Sequence, residues 1–384
     1  MKKIFLLFVV VTFAIPSLGN AQSSDTRVIT TALPFLRIAG DPRAAGMGDM
    51  GVATSPDAFS QQWNPAKYAF STRSMKLGLA YTPYLSSLVN DIGLSNVTFS
   101  NRLSEKSAFA FSLRYFSLGE VTLRQVENDP GTEVNPNELS LDGTYSLKLD
   151  EQFAMAITGR YVRSDLRIVG VDNDATAANS FAVDISGYYQ SEEEAYNDFN
   201  GRWRAGFNIS NIGPTVKYDA GGQDNFLPTN LALGGGFDFI LNDGFSKIGV
   251  TAEVNKLLVP TPPVRDDDNG EIIEGQDNDV AFISGIFQSF GDAPGGFSEE
   301  LREFTWALGV EYTYNDAFAL RTGYFNESDD KGARKFLALG AGFEFSQINI
   351  DLSYLFSTSR VRSPLEGTLR FGLTFNFGDE YTEY

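Results

Sequence analysis

Glu138-Leu139-Ser140-Leu141-Asp142-Gly143-Thr144-Tyr145-Ser146-Leu147-Lys148-Leu149-Asp150 is the stretch that decides the fold class. Leu139, Leu141, Gly143, Tyr145, Leu147 and Leu149 alternate with Ser140, Asp142, Thr144, Ser146 and Lys148. A period of two gives a strand one apolar and one polar face. The pattern recurs at Phe109, Phe111, Leu113 and Tyr115, at Phe153, Met155, Ile157 and Tyr161, and at Phe181, Val183, Ile185 and Tyr189. It returns at Trp306, Leu308, Val310, Tyr312 and Tyr314 and ends with Leu369, Phe371, Leu373, Phe375 and Phe377. Weaker segments near 75–82, 91–100, 202–210, 230–240, 246–257, 317–325, 336–345 and 347–356 bring the expected total to about fourteen strands. An even number closes an antiparallel barrel.

The connections point the same way. Asp150 to Gln152, Asn315-Asp316 and Phe345 to Gln347 are tight turns. Between them lie long polar stretches: Phe116 to Asn137, Val162 to Asn179, Asn211 to Thr229, Val259 to Arg302, Asn326 to Lys335 and Ser357 to Glu366. Outer-membrane barrels have short periplasmic turns and longer external loops, and a first strand running outward places all of these stretches outside. The acidic turn Ser191 to Asn200 is the exception, long for the periplasmic side. A soluble sandwich or propeller would also alternate. The final strand favours the membrane: Gly372-Leu373-Thr374-Phe375-Asn376-Phe377 resembles the Gly-x-x-aromatic-x-aromatic ending read by barrel-insertion machinery, although seven residues follow it.

Composition narrows the compartment and the chemistry. Lys2 and Lys3, the apolar run Ile4 to Ile15 and the small residues of Gly19-Asn20-Ala21 read as a signal peptide over 1–21, with the mature chain starting near Gln22. No later stretch reaches the roughly 18 apolar residues of a spanning helix. The chain has 32 Phe, 16 Tyr and 37 Gly, a profile suited to strands with one greasy face rather than to a Leu-rich helical core. Without Cys there is no disulfide and no thiol for a lipid anchor after the cleavage site. Without Cys or His there is no thiolate nucleophile, imidazole base or His-containing zinc site, so the expectation is a protein that is not an enzyme. The net charge of −19 opposes binding to nucleic acid.

Residues 22–73 do not alternate. Leu33-Pro34-Phe35-Leu36, Asp41-Pro42-Arg43-Ala44-Ala45-Gly46-Met47-Gly48, Val52 to Ala58 and Trp63-Asn64-Pro65-Ala66-Lys67 make a compact, turn-rich segment. Gly46, Gly48 and Gly51 permit close backbone approach, and Pro65 biases Asn64 away from helix. Such a segment suits the inside of a barrel. The expected organisation is therefore a signal peptide over 1–21, a plug or hatch over 22–73, a transmembrane barrel over 74–377 with an external insertion at 259–302, and a periplasmic tail over 378–384.

Gly46-Met47-Gly48 followed by Asn64-Pro65-Ala66 resembles the hatch of the long-chain fatty-acid transporter (FadL-like) superfamily. The whole run from Pro34 to Ala69, with Gly51 to Ala58 and Trp63 to Lys67, is similar to the PorV/PorQ branch, outer-membrane components of the type IX secretion system. The resemblance implies a fourteen-stranded barrel in a Gram-negative outer membrane, surrounded by membrane lipid. It further implies docking on a giant translocon barrel, receipt of cargo proteins bearing C-terminal signal domains, and their delivery to a sortase-containing attachment complex, with no cofactor. The competing expectation, on the same plugged barrel, is a transporter of long-chain fatty acids or other hydrophobic small molecules, which should have an apolar external pocket and a kinked wall strand.

Three weaker signals remain. Wet-face charges Arg114, Arg160, Arg202, Arg204, Arg321 and Arg370 stand against Asp142, Asp184, Asp238, Glu253, Glu311, Glu344 and Asp351, and mixed signs suggest pairing rather than a charge-selective pore. Asp266-Asp267-Asp268-Asn269-Gly270-Glu271 invites a calcium reading, but placing Gly270 sixth puts Arg265 first and Gln276 last, so the EF-hand pattern fails and a solvated charge run is expected. Val280, Ile283, Ile286, Phe287 and Phe290 recur at helical spacing and are followed by Phe297 and Leu301. That apolar external segment needs a cover, either the barrel's own mouth or a docked partner.

Overall fold

The computed structural model describes residues 27–381 apart from 87, 125–130, 168–175, 220, 267 and 360–362. The expected signal peptide, Asp267 and residues 382–384 of the expected tail lie outside the described residues. Fourteen wall strands follow one another: β1 Arg73–Pro83, β2 Ile92–Arg102, β3 Ser107–Leu118, β4 Asn137–Lys148, β5 Phe153–Asp165, β6 Ala178–Gln190, β7 Asn200–Ile212, β8 Asn230–Leu241, β9 Ser246–Leu257, β10 Phe304–Tyr314, β11 Phe318–Asn326, β12 Lys335–Phe345, β13 Ile348–Ser357 and β14 Leu369–Glu380. Each pairs antiparallel with its chain neighbours, and β14 pairs with β1, so the sheet closes. Strands of 9 to 13 residues are long enough to cross a bilayer when tilted.

Burial settles which way the alternation faces. On β4, Ser140, Asp142, Thr144 and Ser146 are buried whereas Leu141, Tyr145 and Leu147 are exposed. A soluble sheet of the same pattern would hide the leucines. Here the apolar face points outward on strand after strand: Phe111 and Leu113 on β3, Phe181 and Val183 on β6, Leu337 and Leu339 on β12, Phe371 and Phe377 on β14. Lipid is the solvent that favours that face.

The connections alternate as expected. Turns 103–106, 149–152, 242–245, 315–317 and 346–347 lie at one end, and loops 84–91, 119–136, 166–177, 213–229, 258–303, 327–334 and 358–368 at the other, external end. The long turn 191–199 folds back on its own strand, with Glu194 and Ala195 pairing with Gly201 and Asn200 of β7. At the carboxyl end the wall does not stop at Phe377. Gly378 takes a positive φ of 75°, the register shifts between Arg73 and Met75, and the strand runs on until Glu380 pairs with Arg73. Three of the residues read as tail thus belong to the wall, because a glycine-tolerant bulge keeps the ladder going.

Residues 32–72 fill the space inside. Their short elements are a 3-10 turn Pro34–Arg37, helix α1 Pro42–Gly46, helix α2 Ser60–Trp63 and a 3-10 helix Pro65–Phe70. Three clusters fix the segment to different parts of the wall. Leu33, Phe35 and Leu36 pack with Leu94, Phe116, Val162 and Leu227. Met47 and Met50 pack with Ala307, Phe325, Phe336 and Leu355. Ala66, Ala69 and Phe70 pack with Ala154, Ala156 and Tyr188. Inward-facing glycines make room for the segment's main chain: a Cβ at Gly323 would overlap the Met47 carbonyl, and one at Gly206 the Val52 carbonyl.

Candidate functional site, the inner segment and the external loop

The motif residues of the inner segment are among those that fasten it. Gly46 closes α1 against Gly340 of β12, where a Cβ would lie 2.9 Å from the Gly340 Cα. Met47 is buried, and Gly48 turns the chain with φ 89° beside Tyr324. Trp63 donates from its indole nitrogen to Asp41 at 2.7 Å, and its ring covers Gly51 so closely that a Cβ there would collide with it. Asn64 is fully buried and uses both ends of its amide: Nδ2 donates to the Val52 carbonyl at 2.8 Å and the Gly187 carbonyl of β6 at 2.9 Å, while Oδ1 accepts from Ala66 N at 3.1 Å. Pro65 starts the 3-10 helix, where its missing N–H leaves nothing unsatisfied. The Ala66 carbonyl then accepts from Ser146 of β4 at 3.0 Å. Asn64-Pro65-Ala66 is thus a staple between segment and wall.

The wet-face charges pair. Arg160 bridges Asp142 at 2.6 Å and Asp184 at 2.8 Å. Arg43 of the segment joins Asp57 and Glu311, each at 2.8 Å, and Arg321 completes that group with Glu311 and Asp351. Arg204 pairs with Asp238, and Arg370 with Asp49 of the segment at 3.1 Å. Arg114 donates to the carbonyls of Phe35, Leu36 and Ile38, and Glu253 accepts from the N–H groups of Gly51 and Val52 at 2.9 Å. Buried charges are tolerated here because each has such partners. A cavity of about 820 Å³ remains at the short-turn end, lined by Arg43, Asp57, Lys76, Glu311 and Arg321 among others.

At the other end, loop 258–303 is built from a small hairpin, Val264–Arg265 with Ile272–Glu274, then helices α3 Phe282–Gln288 and α4 Phe297–Arg302. Its base is held by charges. Glu299 takes a two-point contact from Arg27 at 3.0 and 2.9 Å and a third bond from Lys331 at 2.6 Å. Lys331 also reaches Glu303 at 2.9 Å, and Lys256 of β9 joins Glu303 at 2.7 Å and Glu300 at 3.1 Å. Burial alone would raise the Glu299 carboxyl, but the bonds from Arg27, Lys331 and Gly295 N outweigh it and hold it at about 2. Asp292 behaves oppositely. Burial, reinforced by Glu300 and Glu303, lifts its carboxyl to about 6 despite a bond from Thr261 N, and its Oδ1 has no partner among the described residues.

With the acids turned inward, the apolar side chains of the loop face water. Ile283 is 57% exposed, Phe287 75%, Phe290 51%, Phe297 77% and Leu301 55%, while Val280 and Ile286 are half-buried. Val280 and Phe290 flank α3 rather than lie in it. The barrel mouth therefore does not cover this face. The Arg27–Glu299 link and the inverted polarity of α4 escape a reading by strand periodicity, although Glu299 and Glu300 between Phe297 and Leu301, with Glu303 one turn on, carry the signal. In the acidic run, Asp266 Oδ1 accepts the N–H groups of Asp268 and Asn269, and no group of three or more acidic side chains among the described residues is arranged to hold a metal ion.

Solved structures share this architecture. A deletion mutant of the monoaromatic hydrocarbon channel TodX superposes with a TM-score of 0.50 at 12% identity, covering 89% of this chain and 100% of that one. A second TodX deletion mutant gives 0.50 at 14% identity, covering 88% and 99%. At such identities the likeness concerns the fold alone. No curated protein matches the sequence. The family described as "Type IX secretion system protein PorV" matches residues 21–264, well over half of the chain.

Proposed function

Since this chain belongs to the PorV family of type IX secretion system proteins, and is an outer-membrane barrel of FadL-like architecture, we propose that it acts as a secretion adaptor. In that role it binds the giant translocon barrel, receives cargo proteins with C-terminal signal domains and hands them to the sortase-containing attachment complex. It catalyses no reaction itself. Within the expected hatch of 22–73, residues 32–72 serve as a plug, stapled by Gly46, Met47, Gly48, Trp63, Asn64, Pro65 and Ala66. The work is done on the outside.

The observation that carries this reading is the uncovered apolar face of Ile283, Phe287, Phe290, Phe297 and Leu301 on a loop whose base is fixed by buried ion pairs. A contiguous exposed apolar face of that kind is the mark of an interaction site. Burying three or four such side chains would contribute roughly 5 to 8 kcal/mol before ordering costs.

The alternative is passage of hydrophobic small molecules, the activity named in the titles of the TodX channels. One feature speaks against it. The one irregularity between β6 and β7, at Ile209 to Ile212, is stitched shut by Asn211, which takes Arg160, gives its N–H to Asp184 at 2.7 Å and its amide to the Pro228 carbonyl at 3.0 Å. The test is affinity purification of the full chain from native outer membranes, beside a variant with Ile283→Ser, Phe287→Ser and Phe290→Ser. The variant should insert normally and lose most of its very large membrane partner. Equal recovery of that partner by both would refute the docking role.

A further inference from the structure

The cavity of about 820 Å³ at the short-turn, periplasmic end is rimmed by Glu193, Asp316 and Ala317 of the turns and reaches inward to Arg43 and Asp57. Its other cations are Arg73, Lys76, Arg202, Lys247 and Arg321. Most of these have acids of their own. Arg321 holds Glu311 and Asp351, Lys247 takes Asp316 at 3.2 Å, and Arg73 and Arg202 lie 3.6 and 3.9 Å from Glu380 and Glu193. Lys76 of β1 is the exception. It is 9% exposed and forms no hydrogen bond or ion pair with any described residue. Its partners across the ladder, Asn376 of β14 and Ser100 of β2, carry no charge, and Glu344 spends a carboxylate oxygen on the Asn349 amide at 2.7 Å.

An ammonium withdrawn from water without a counter-ion costs stability. Here its three donors border an open polar space, so a ligand can supply the missing charge. The compact ammonium suits the tetrahedral oxygens of a phosphate, whereas a planar carboxylate is better matched by a guanidinium fork. The same wall offers Thr374, Asn349 and Asn376 to the hydroxyl groups of a hydrophilic carrier. Access decides the source. Every wall strand is paired on both sides, so a lipid in the surrounding bilayer cannot bring its headgroup to Lys76 through the sheet. The occupant arrives from periplasmic water.

We infer that this cavity binds a water-soluble phosphate monoester of sugar size, with Lys76 on the phosphate and the polar wall of β13 and β14 on the hydroxyl groups. Because Asp57, Ala58 and Phe59 of the inner segment line the same space, the ligand bridges plug and wall. The inference concerns the periplasmic end and does not depend on the secretion reading.

The test is isothermal titration at low salt of the full-length protein in neutral detergent, with glucose 6-phosphate, glucuronate and glucose as probes. Glucose 6-phosphate should bind at least about tenfold more tightly than glucose, with glucuronate between them. Lys76→Met should erase the preference, and Lys76→Arg should keep part of it. Asn376→Asp leaves the lysine in place and sets a carboxylate opposite it, so it should silence the site too. That variant decides the matter if Lys76→Met fails to form a heat-modifiable barrel. Equal binding of the three sugars overturns the proposal, as does a folded Lys76→Met protein that binds glucose 6-phosphate like wild type. Wild-type protein in phosphatidylcholine nanodiscs that loses glucose 6-phosphate once phosphatidylglycerol is included would reveal a headgroup in the site and overturn the soluble occupant.

Discussion

Asn64 shows how much one buried amide can hold. Its two donors and one acceptor join the loop at Val52, the start of the 3-10 helix at Ala66 and the wall at Gly187. Asn64→Ala would strand two carbonyls away from water, so a loss of about 3 kcal/mol is expected, seen as a lower temperature for the gel shift that marks barrel unfolding. An unchanged transition would mean that water takes over these bonds. Asp292 makes the complementary case, in which a residue stores instability. Its folded carboxyl lies near 6 against an ordinary 3.8, so the proton is held more tightly in the folded loop. The resulting stabilisation is complete below about 3.8 and is lost as pH rises through 6. Glu299 has the opposite sign: held at about 2 against 4.5, its contribution is present above 4.5 and fades as pH falls towards 2. Protection of the amides in loop 258–303, measured against their intrinsic exchange rate at each pH, should therefore rise between pH 7 and 5 and fall again below about 4.5. Asp292→Asn should flatten the upper limb; a limb that persists in that variant assigns it to another group.

Among the elements, the wall strands were the legible part, because each carries its own period-two pattern and its partner is the next strand in the chain. The fourteen segments recognised by alternation are the fourteen of the barrel. Alternation cannot say which face meets lipid, and Leu141 and Ser140 would read alike in a soluble sandwich; burial in the folded chain supplies that sign. The inner segment was legible as compact chain, since Gly and Pro punctuate it, but long-range contacts were not, since Arg43 meets Glu311 of the wall across 268 residues and, ahead of the segment, Arg27 meets Glu299 of the external loop across 272. Helix α4 was read only as Phe297 and Leu301. Its buried Glu299 and Glu300 became intelligible with Lys256, Lys331 and Arg27 beside them. That pairing makes a prediction about the element. Glu299→Ala leaves Arg27 and Lys331 without their main counter-ion, so the amino-terminal end of the segment should loosen and trypsin should cut after Arg27 several-fold faster on whole cells. Cutting at the wild-type rate would show that Glu299 does not tether this end.

At the scale of the whole molecule, the barrel and its contents solve each other's problem. Fourteen strands enclose a space too wide for their own side chains to fill, and a polar lining left empty would admit water and become a channel. Residues 32–72 occupy that space with apolar clusters against three parts of the wall and with polar contacts to Arg114 on β3, Thr144 on β4, Glu253 on β9, Glu311 on β10 and Arg370 on β14. The wall's own hydrogen bonds do not involve the segment, since every strand is paired with two neighbours. Removing residues 32–72 should therefore leave a barrel that still inserts and shifts on gels when heated, while Arg114, Glu253 and Arg370 pass from protein partners to water. The emptied lumen should conduct. In planar bilayers the deletion variant is expected to show steady single-channel current where the intact protein shows none, and cells carrying it should become sensitive to large antibiotics that the outer membrane normally excludes. If the deletion variant never inserts, the segment is part of the folding core. If it inserts and stays silent, the loops close the mouth and the segment is not the seal.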